Sequence, residues 1–306
     1  MKNFLLAPLL FFSSLLAAAE LSVDGSAIQD AYASRPDHAT ISPQDSELSS
    51  TSLFERDLRY SLFVPSQAPK TGRYPLIVNL HAYLSSAPIQ EIFASMNAEA
   101  ERRGFIIVYP QARFASWNGG LCCGEAALRQ SDDVQYIRDI LEDVQKKYPV
   151  NSKRIYATGM SNGGFLTHRL GCEAADLFAA IAPVASVLGL QPAACHPQRD
   201  LPVLMIHGKL DPIVFYGGGV FNSVSKTVDF WAQANSCRSV VAQRSFSDAT
   251  CYRGVDCQAD TQLCVSDLGG HCWPGNPICP GSFGANPLDA NPLIFNFFEQ
   301  QSLRPK

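Results

Sequence analysis

Short apolar segments alternate with segments of helical spacing along most of the chain. Strand-like runs begin at or near Pro75, Phe105, Arg154, Phe178 and Val203. Apolar residues at helical spacing fill the intervals, most clearly over 89–103 and 132–148, and they predict helices. When a helix follows each strand, it returns the chain to the starting edge of the sheet, so neighbouring strands are parallel. The alternation therefore predicts an α/β protein with a doubly wound, mostly parallel sheet.

A different pattern precedes this alternation. Leu53 and Phe54 are separated by a polar turn from Tyr60, Leu62 and Val64, which alternate with polar residues. Such a pair of segments predicts an N-terminal antiparallel hairpin. Because no composition break and no internal repeat follow, residues 51–306 are expected to form a single domain.

The first residues have the order of an export signal. Lys2 is followed by an apolar run over residues 4–16 and by three alanines that end at Ala19. Charged, apolar and small residues in this order predict a signal peptide, residues 1–19. The run is shorter than the roughly 20 residues that span a bilayer. Residues 20–50 lack periodicity and predict a loosely ordered arm. We expect a secreted or periplasmic protein without membrane attachment after cleavage.

Charge and cysteine usage exclude some classes of partner. With 24 Lys plus Arg against 28 Asp plus Glu, the chain has no basic face for nucleic acid. Ten cysteines in an exported chain indicate disulfides, because an oxidising compartment preserves them. No two cysteines have the Cys-x-x-Cys spacing of zinc sites, and Cys122 and Cys123 are adjacent, which is too close for tetrahedral ligation by both. The sequence therefore predicts no nucleic-acid partner and no metal.

One motif joins a predicted strand to a predicted helix. Gly159-Met160-Ser161-Asn162-Gly163-Gly164 directly follows the strand that ends at Thr158. In a sharp strand-to-helix turn the flanking glycines remove Cβ atoms that would collide, and the serine hydroxyl stands exposed above the sheet. The position of the motif predicts that Ser161 is a nucleophile rather than a simple helix cap.

A serine nucleophile needs a histidine base and an orienting carboxylate. His271 lies in a glycine-rich loop after a strand-like segment, and Asp211 lies in the loop after the Val203 strand. The order Ser161, Asp211, His271 is the one found in α/β-hydrolases. Asp132 and Asp133 are the rival carboxylates, but their place at a predicted helix start explains them.

The tetrahedral intermediate of acyl transfer also needs N–H donors for its oxyanion. One is expected from the backbone of Asn162, directly after the nucleophile, and the other from Tyr83 in the loop after the Pro75 strand. The aromatic side chains of Tyr83, Trp117 and Trp273 suggest a cleft suited to a ring or a sugar, with packing in the core as the alternative.

These segments together resemble a secreted esterase family that includes polyhydroxybutyrate depolymerases and feruloyl or acetylxylan esterases of the carbohydrate esterase type. The similarity runs from about Arg59 to Phe298, and it rests on Leu80–Ser86, Trp117–Gly124, Asp132–Val134, the Ser161 motif, His207–Val214 and His271–Gly275. The resemblance implies an α/β-hydrolase fold, ester hydrolysis and no cofactor. Two residues depart from the family pattern: Ala82 replaces a usual glycine, and Cys272 beside His271 is unusual and suggests a disulfide near the site.

Only one cysteine pair is assigned. Cys172 and Cys195 flank the predicted strand that begins at Phe178, and the resemblance also favours their pairing. Cys237, Cys251, Cys257 and Cys264 form a second group near the late strands, and its pairing stays open.

The first functional hypothesis is an esterase that releases hydroxycinnamate or acetyl groups from plant polysaccharide. The alternative is a depolymerase of polyhydroxybutyrate or a related polyester. A non-catalytic binding protein on a hydrolase scaffold is disfavoured because every expected catalytic position is filled. Since few residues follow Phe298, no substrate-binding module is expected, and the enzyme should prefer soluble or short esters to solid polyester. The sequence carries no signal for oligomeric state.

Overall fold

The structure, a computed structural model, describes residues 57–67, 69–279 and 287–303. All of them fall in one unit, Leu48–Lys306. The predicted signal peptide and the arm over 20–50 lie outside the described residues. None of the described helices is long and apolar enough to cross a membrane.

A mixed sheet organises the part of the chain that the structure describes, with nine strands in the order β1-β3-β2-β4-β5-β6-β9-β8-β7. Their bounds are β1 Tyr60–Phe63, β2 Tyr74–Leu80, β3 Ile106–Pro110, β4 Val150–Met160, β5 Ala180–Val184, β6 Val203–Gly208, β7 Ser239–Ser245, β8 Ala249–Val255 and β9 Thr261–Ser266. Six neighbouring strands in the middle of the sheet, β3, β2, β4, β5, β6 and β9, are parallel to one another. This confirms the predicted doubly wound sheet.

The two edges of the sheet are antiparallel. β1 pairs with β3, while the segment around Leu53 that was expected to face it lies outside the described residues. At the other edge β7 and β8 form a hairpin that pairs with β9. The sequence did not predict this hairpin, because β7 is exposed and lacks the apolar alternation that marks a half-buried strand.

Helices cover both faces of the sheet. Their bounds are α1 Ala87–Ala94, α2 Asn97–Arg103, α3 Gly124–Leu128, α4 Asp133–Lys147, α5 Asn162–Glu173, α6 Val224–Ala234 and α7 Ala290–Glu299. Side chains of α4, α5 and α6 pack on one face, with Leu76 and Val78 of β2, and those of α1, α2 and α7 pack on the other, with Ile77. Each central strand therefore contributes alternate residues to two cores, which is why its sequence is apolar throughout.

The single helix expected over 89–103 is wrong, because the chain breaks at Ser95. Ser95 adopts a left-handed conformation (φ 50°), and its backbone N–H donates to the Glu91 carbonyl, which ends α1. The break turns the chain so that Met96 is buried, while Ile89 and Ile92 are exposed. Apolar spacing suggested one continuous face because it does not register a change of direction at a single residue.

Disulfides join all ten cysteines in five pairs. The expected pair Cys172–Cys195 is present. The group near the late strands pairs as Cys237–Cys257 and Cys251–Cys264, and Cys272 pairs with Cys279 beside His271. Cys122 and Cys123 pair with each other, a bond that sequence spacing had not indicated. Most of these bonds secure segments that leave the carboxyl ends of strands or join the antiparallel edge.

We expect the double variant Cys172→Ala/Cys195→Ala to lose about 3 kcal/mol of unfolding free energy, because the bond closes a long loop in the unfolded chain. Urea denaturation without reductant measures the loss. The variant Cys237→Ala/Cys257→Ala is a matched control, because its partners are 20 residues apart against 23 for Cys172–Cys195. An unchanged unfolding free energy in the first variant, with free thiols at both positions in the parent protein, would contradict the prediction.

Candidate active site

The turn between β4 and α5 holds Ser161 in a strained backbone conformation, with φ 54° and ψ −120°. The backbone N–H of Ser161 donates to the Val184 carbonyl (2.9 Å), and its carbonyl accepts from Phe165 N (2.9 Å). A Cβ atom on Gly163 would overlap the Leu80 carbonyl oxygen, so only glycine allows α5 to approach the end of β2 this closely. The glycines predicted to shape the turn therefore do so, and contacts with β2 and β5 hold the strained backbone in place.

Asp211 and His271 meet in the loops after β6 and β9. These two strands are parallel neighbours, so their carboxyl ends deliver the loops side by side. His271 Nδ1 lies 2.8 Å from Asp211 Oδ2. The other carboxylate oxygen accepts from the backbone N–H groups of Ile213 and Val214, each at 2.8 Å. Because an ionised carboxylate only accepts, Nδ1 of His271 is the protonated nitrogen and Nε2 is free to act as a base.

The environment keeps Asp211 ionised. Burial alone raises the pKa of this carboxyl, but the hydrogen bond and charge of His271 and the two backbone donors outweigh it, so the pKa lies below its ordinary value. A negative carboxylate at this position fixes the orientation of the His271 imidazole through its Nδ1.

A second histidine lies against the same carboxylate. His207 Nε2 is 3.6 Å from Asp211 Oδ2 and 2.9 Å from the Val214 carbonyl, to which it donates. Burial lowers the pKa of His207, so its ring is neutral near neutral pH. His207 therefore donates to a backbone carbonyl, and His271 makes the direct hydrogen bond to Asp211.

The rival carboxylates have other partners. Asp132 caps α4, accepting from Gln135 N (3.1 Å), as its position at a helix start predicted. Asp133 is buried and accepts from Asn118 N (2.6 Å), which fixes the loop before α4. Neither has the contact with a histidine that Asp211 has among the described residues.

The aromatic cleft expected from Tyr83, Trp117 and Trp273 needs correction. Tyr83 is 46% exposed, whereas Trp117 and Trp273 are 0% and 1% exposed. The Trp117 indole N–H donates to the His81 carbonyl (3.0 Å) and that of Trp273 to Asn291 Oδ1 (2.9 Å). Both tryptophans pack in the core, where each finds an acceptor for its N–H, so of the three only Tyr83 presents its ring to solvent.

The side chain of Asn162 is a feature that sequence reasoning missed. It accepts from Trp117 N (2.7 Å), donates to the Trp117 carbonyl (2.8 Å) and lies 3.6 Å from the sulfur of Cys122. Asn162, the residue after Ser161, therefore ties the 112–124 loop to the turn. The Trp117–Gly124 motif was noted in the sequence, but nothing in it indicated which residue it binds.

A cavity of about 360 Å³ opens beside the same loop, between Leu121 and the three glycines 217–219. Gln191 and Lys226 add an amide and an ammonium group to its wall. The Leu121 N–H donates to the Gly189 carbonyl (2.9 Å), so the cavity wall joins the segments that follow β3 and β5. A cavity of this size can hold a small polar ligand or one unit of a larger one.

Comparison with known proteins assigns the chain to a family. A family model described as Esterase PHB depolymerase matches residues 58–214, slightly more than half of the chain. The protein belongs to this family. The match includes Ser161 and Asp211 and ends before the loop that carries His271.

One relative is feruloyl esterase B of Piromyces equi, which is 32% identical over 64% of this chain and 39% of that protein. The bifunctional acetylxylan esterase/xylanase of Neocallimastix patriciarum is 28% identical over 51% of this chain and 22% of that protein. The chain thus spans well under half the length of these two relatives. The solved acetyl xylan esterase from Aspergillus awamori matches with a TM-score of 0.58 at 14% identity, covering 79% of this chain and 94% of that chain. This likeness shows the fold, an α/β-hydrolase fold, as the sequence predicted.

The lowered pKa of Asp211 leads to a prediction about the stability of this protein in acid. Because the folded-state pKa lies below that of the unfolded chain, about 3.9, ionised Asp211 stabilises the fold above this pH. The contribution is lost as the pH falls through the folded-state pKa. We expect the unfolding free energy of Asp211→Asn to fall less steeply below about pH 4 than that of the parent protein.

Chemical denaturation at a series of acid pH values measures the two slopes. Asp200→Asn, at an exposed position, controls for the removal of one carboxyl group. Parallel slopes in the parent protein and in Asp211→Asn would contradict the assignment of a lowered pKa to this carboxyl.

Proposed function

We propose that this protein is a secreted serine carboxylic ester hydrolase that uses Ser161, His271 and Asp211. The observation that carries the proposal is the hydrogen-bonded pair of His271 and Asp211. This pair lies at the carboxyl ends of the parallel strands, where the strained Ser161 turn also lies. Family membership supports the same reaction class. A base held by an ionised carboxylate and a serine at a helix start are the parts that acyl transfer requires.

In the proposed mechanism the Ser161 hydroxyl attacks the ester carbonyl carbon while His271 Nε2 takes its proton. The carbonyl electrons move to oxygen, which is bound by the backbone N–H groups of Tyr83 and Asn162. As the first residue of α5, Asn162 has no acceptor within the helix for its N–H. The intermediate collapses, His271 returns the proton to the leaving alcohol, and water releases the acyl group by the same steps.

Export is the second part of the proposal. Five disulfides in one chain are typical of proteins that mature in an oxidising compartment. The charged, apolar and small residues at the start of the sequence agree with this location.

The substrate that we favour is an aryl or acetyl ester on plant polysaccharide. The names of the relatives support it, and so does the cavity beside Leu121. Its glycine backbone, Gln191 and Lys226 offer partners for hydroxyl groups, while Leu121 and Val220 expose apolar surface that suits the C–H face of a sugar ring.

Polyester is the second candidate substrate, and a specific observation favours it. Several apolar side chains are exposed in the loops at the carboxyl ends of the strands. Among them are Leu84, Leu210, Ile213 and Phe215. An apolar surface around a reactive serine suits an apolar polymer. A non-catalytic scaffold protein is the least favoured function, because it leaves the strained Ser161 and the Asp211–His271 pair without a purpose.

We expect Ser161→Ala to lower kcat on a chromogenic short-chain ester by about 10⁴-fold or more, because the attacking oxygen is removed. The melting temperature should stay close to that of the parent protein, since the hydroxyl contributes little to packing. Steady-state kinetics and a thermal melt measure the two effects. Near-parental turnover in this variant would place the nucleophile elsewhere.

The substrate class is tested with Gly217→Phe. A Cβ atom on Gly217 meets nothing within 4 Å, so the backbone at this position of the cavity wall accepts a side chain. We expect KM for a feruloylated or acetylated oligosaccharide to rise about tenfold, or 1.4 kcal/mol, while KM for methyl ferulate changes little.

The methyl ester is the internal control, because its leaving alcohol is too small to reach a sugar site. Equal effects on both substrates would remove the cavity from the proposal. Rapid clearing of hydroxybutyrate polymer granules without activity on methyl ferulate would favour the polyester.

A further inference from the structure

Trp117 joins the two halves of the proposed oxyanion site through buried hydrogen bonds. Its backbone N–H and carbonyl bind the carboxamide of Asn162 (2.7 and 2.8 Å). Its indole N–H donates to the His81 carbonyl (3.0 Å). Asn162 begins α5 and His81 begins the loop after β2, so one residue contacts both of the segments that carry the two proposed donors.

We propose that Trp117 is a positioning residue that sets the spacing between the backbone N–H groups of Tyr83 and Asn162. This inference rests on the proposed function, because the two N–H groups matter only if an oxyanion forms between them. Trp117 itself is fully buried and does not touch the substrate. Its effect is carried through the backbone on either side.

The loop that carries Tyr83 is held at two points by the segment that contains Trp117. On one side of Tyr83, the His81 carbonyl accepts from the Trp117 indole. On the other side, the Leu84 N–H donates to the Ala115 carbonyl (2.8 Å). The donor residue therefore lies between two anchors on one short stretch of chain, and a shift of that stretch moves it.

The stretch is in turn fixed to the rest of the fold. Asn118 N donates to the buried carboxylate of Asp133 at the start of α4 (2.6 Å), and Ala112 N donates to His81 Nε2 (3.1 Å). The Cys122–Cys123 disulfide lies beside the Asn162 carboxamide. These contacts restrain the segment that contains Trp117. Removing the indole N–H therefore breaks one hydrogen bond and does not make the whole loop mobile.

Donor spacing matters because hydrogen bonds to an oxyanion weaken steeply with distance and angle. A displacement of about 1 Å in a catalytic group can cost about 10²-fold in rate. A partial loss of one anchor should therefore lower kcat by about tenfold, because the second anchor at Leu84 remains. Ground-state binding should change little, since the carbonyl carries its full charge only in the transition state.

The test is Trp117→Phe, which keeps an aromatic ring and removes the N–H. Trp231→Phe is the matched control, because Trp231 is also fully buried and its indole makes one hydrogen bond, to His168 Nδ1 (3.0 Å), away from the loop after β2. We expect kcat of Trp117→Phe to fall about tenfold with KM within about twofold, and Trp231→Phe to keep parental kcat. The inhibition constant of a boronic acid transition-state analogue should rise in Trp117→Phe by the same factor as kcat falls.

Asn162→Ala provides a second variant if Trp117→Phe does not fold. It removes the carboxamide but keeps the backbone N–H, and it should also lower kcat at nearly constant KM. If both single variants fold, their double variant should lose less than the product of the single losses, because the two side chains act through one set of contacts. Multiplicative losses, parental kcat in Trp117→Phe, or an equal loss in Trp231→Phe would each overturn the inference.

A fluorophosphonate probe separates this inference from the proposed function. Failure of the parent protein to become labelled at Ser161 would overturn the proposed function itself. Labelling of the parent protein together with full kcat in Trp117→Phe would overturn only the role of Trp117.

Discussion

The close approach of α5 to the end of β2 is the constraint on which the rest of the site depends. Gly163 lies against the carbonyl oxygen of Leu80 with no room for a Cβ atom. This contact forces the chain to reverse within one residue, and Ser161 takes the strain. The same approach brings the first turn of α5 beside the loop after β2. One packing contact therefore shapes the turn that holds Ser161, which is 8% exposed, and places two backbone N–H groups at the carboxyl ends of the strands.

Apart from Asn162 at the start of α5, the residues of the proposed site lie in loops and turns, which buried polar contacts and disulfides restrain. Two backbone donors fix the Asp211 carboxylate, the Cys272–Cys279 bond closes the segment after His271, and Trp117 joins the turn to the loop after β2. The sheet supplies the relative positions, and these local contacts supply the orientation. Such a division of roles allows the substrate-facing side chains to vary while the reacting groups stay fixed.

Local patterns predicted the parallel strands and the helices α4 and α5, and two of the predicted site residues, Asp211 and His271, are hydrogen-bonded to each other. The run from Met160 to Gly164 indicated a sharp turn, and Asp211 and His271 were placed after two predicted strands. The structure shows that these strands, β6 and β9, are parallel neighbours. Prediction failed where one residue redirects the chain, as at Ser95, and where an exposed strand such as β7 lacks apolar alternation. In both cases the missing information is a contact or a backbone angle that hydrophobic spacing does not encode.

The sequence by itself determined the α/β class and the order Ser161, Asp211, His271, because both depend on the order of segments along the chain. The Cys172–Cys195 pair also needed the family resemblance, since cysteines closer in sequence were left unpaired. Only the tertiary structure decided the role of Trp117. Its partners His81 and Asn162 lie 36 and 45 residues away along the chain. The sequence around an aromatic residue also does not show whether its ring faces a cleft or the core. Burial is a property of the packed molecule, so the side chain expected to meet the substrate lies instead beneath the site, where its N–H finds a backbone acceptor.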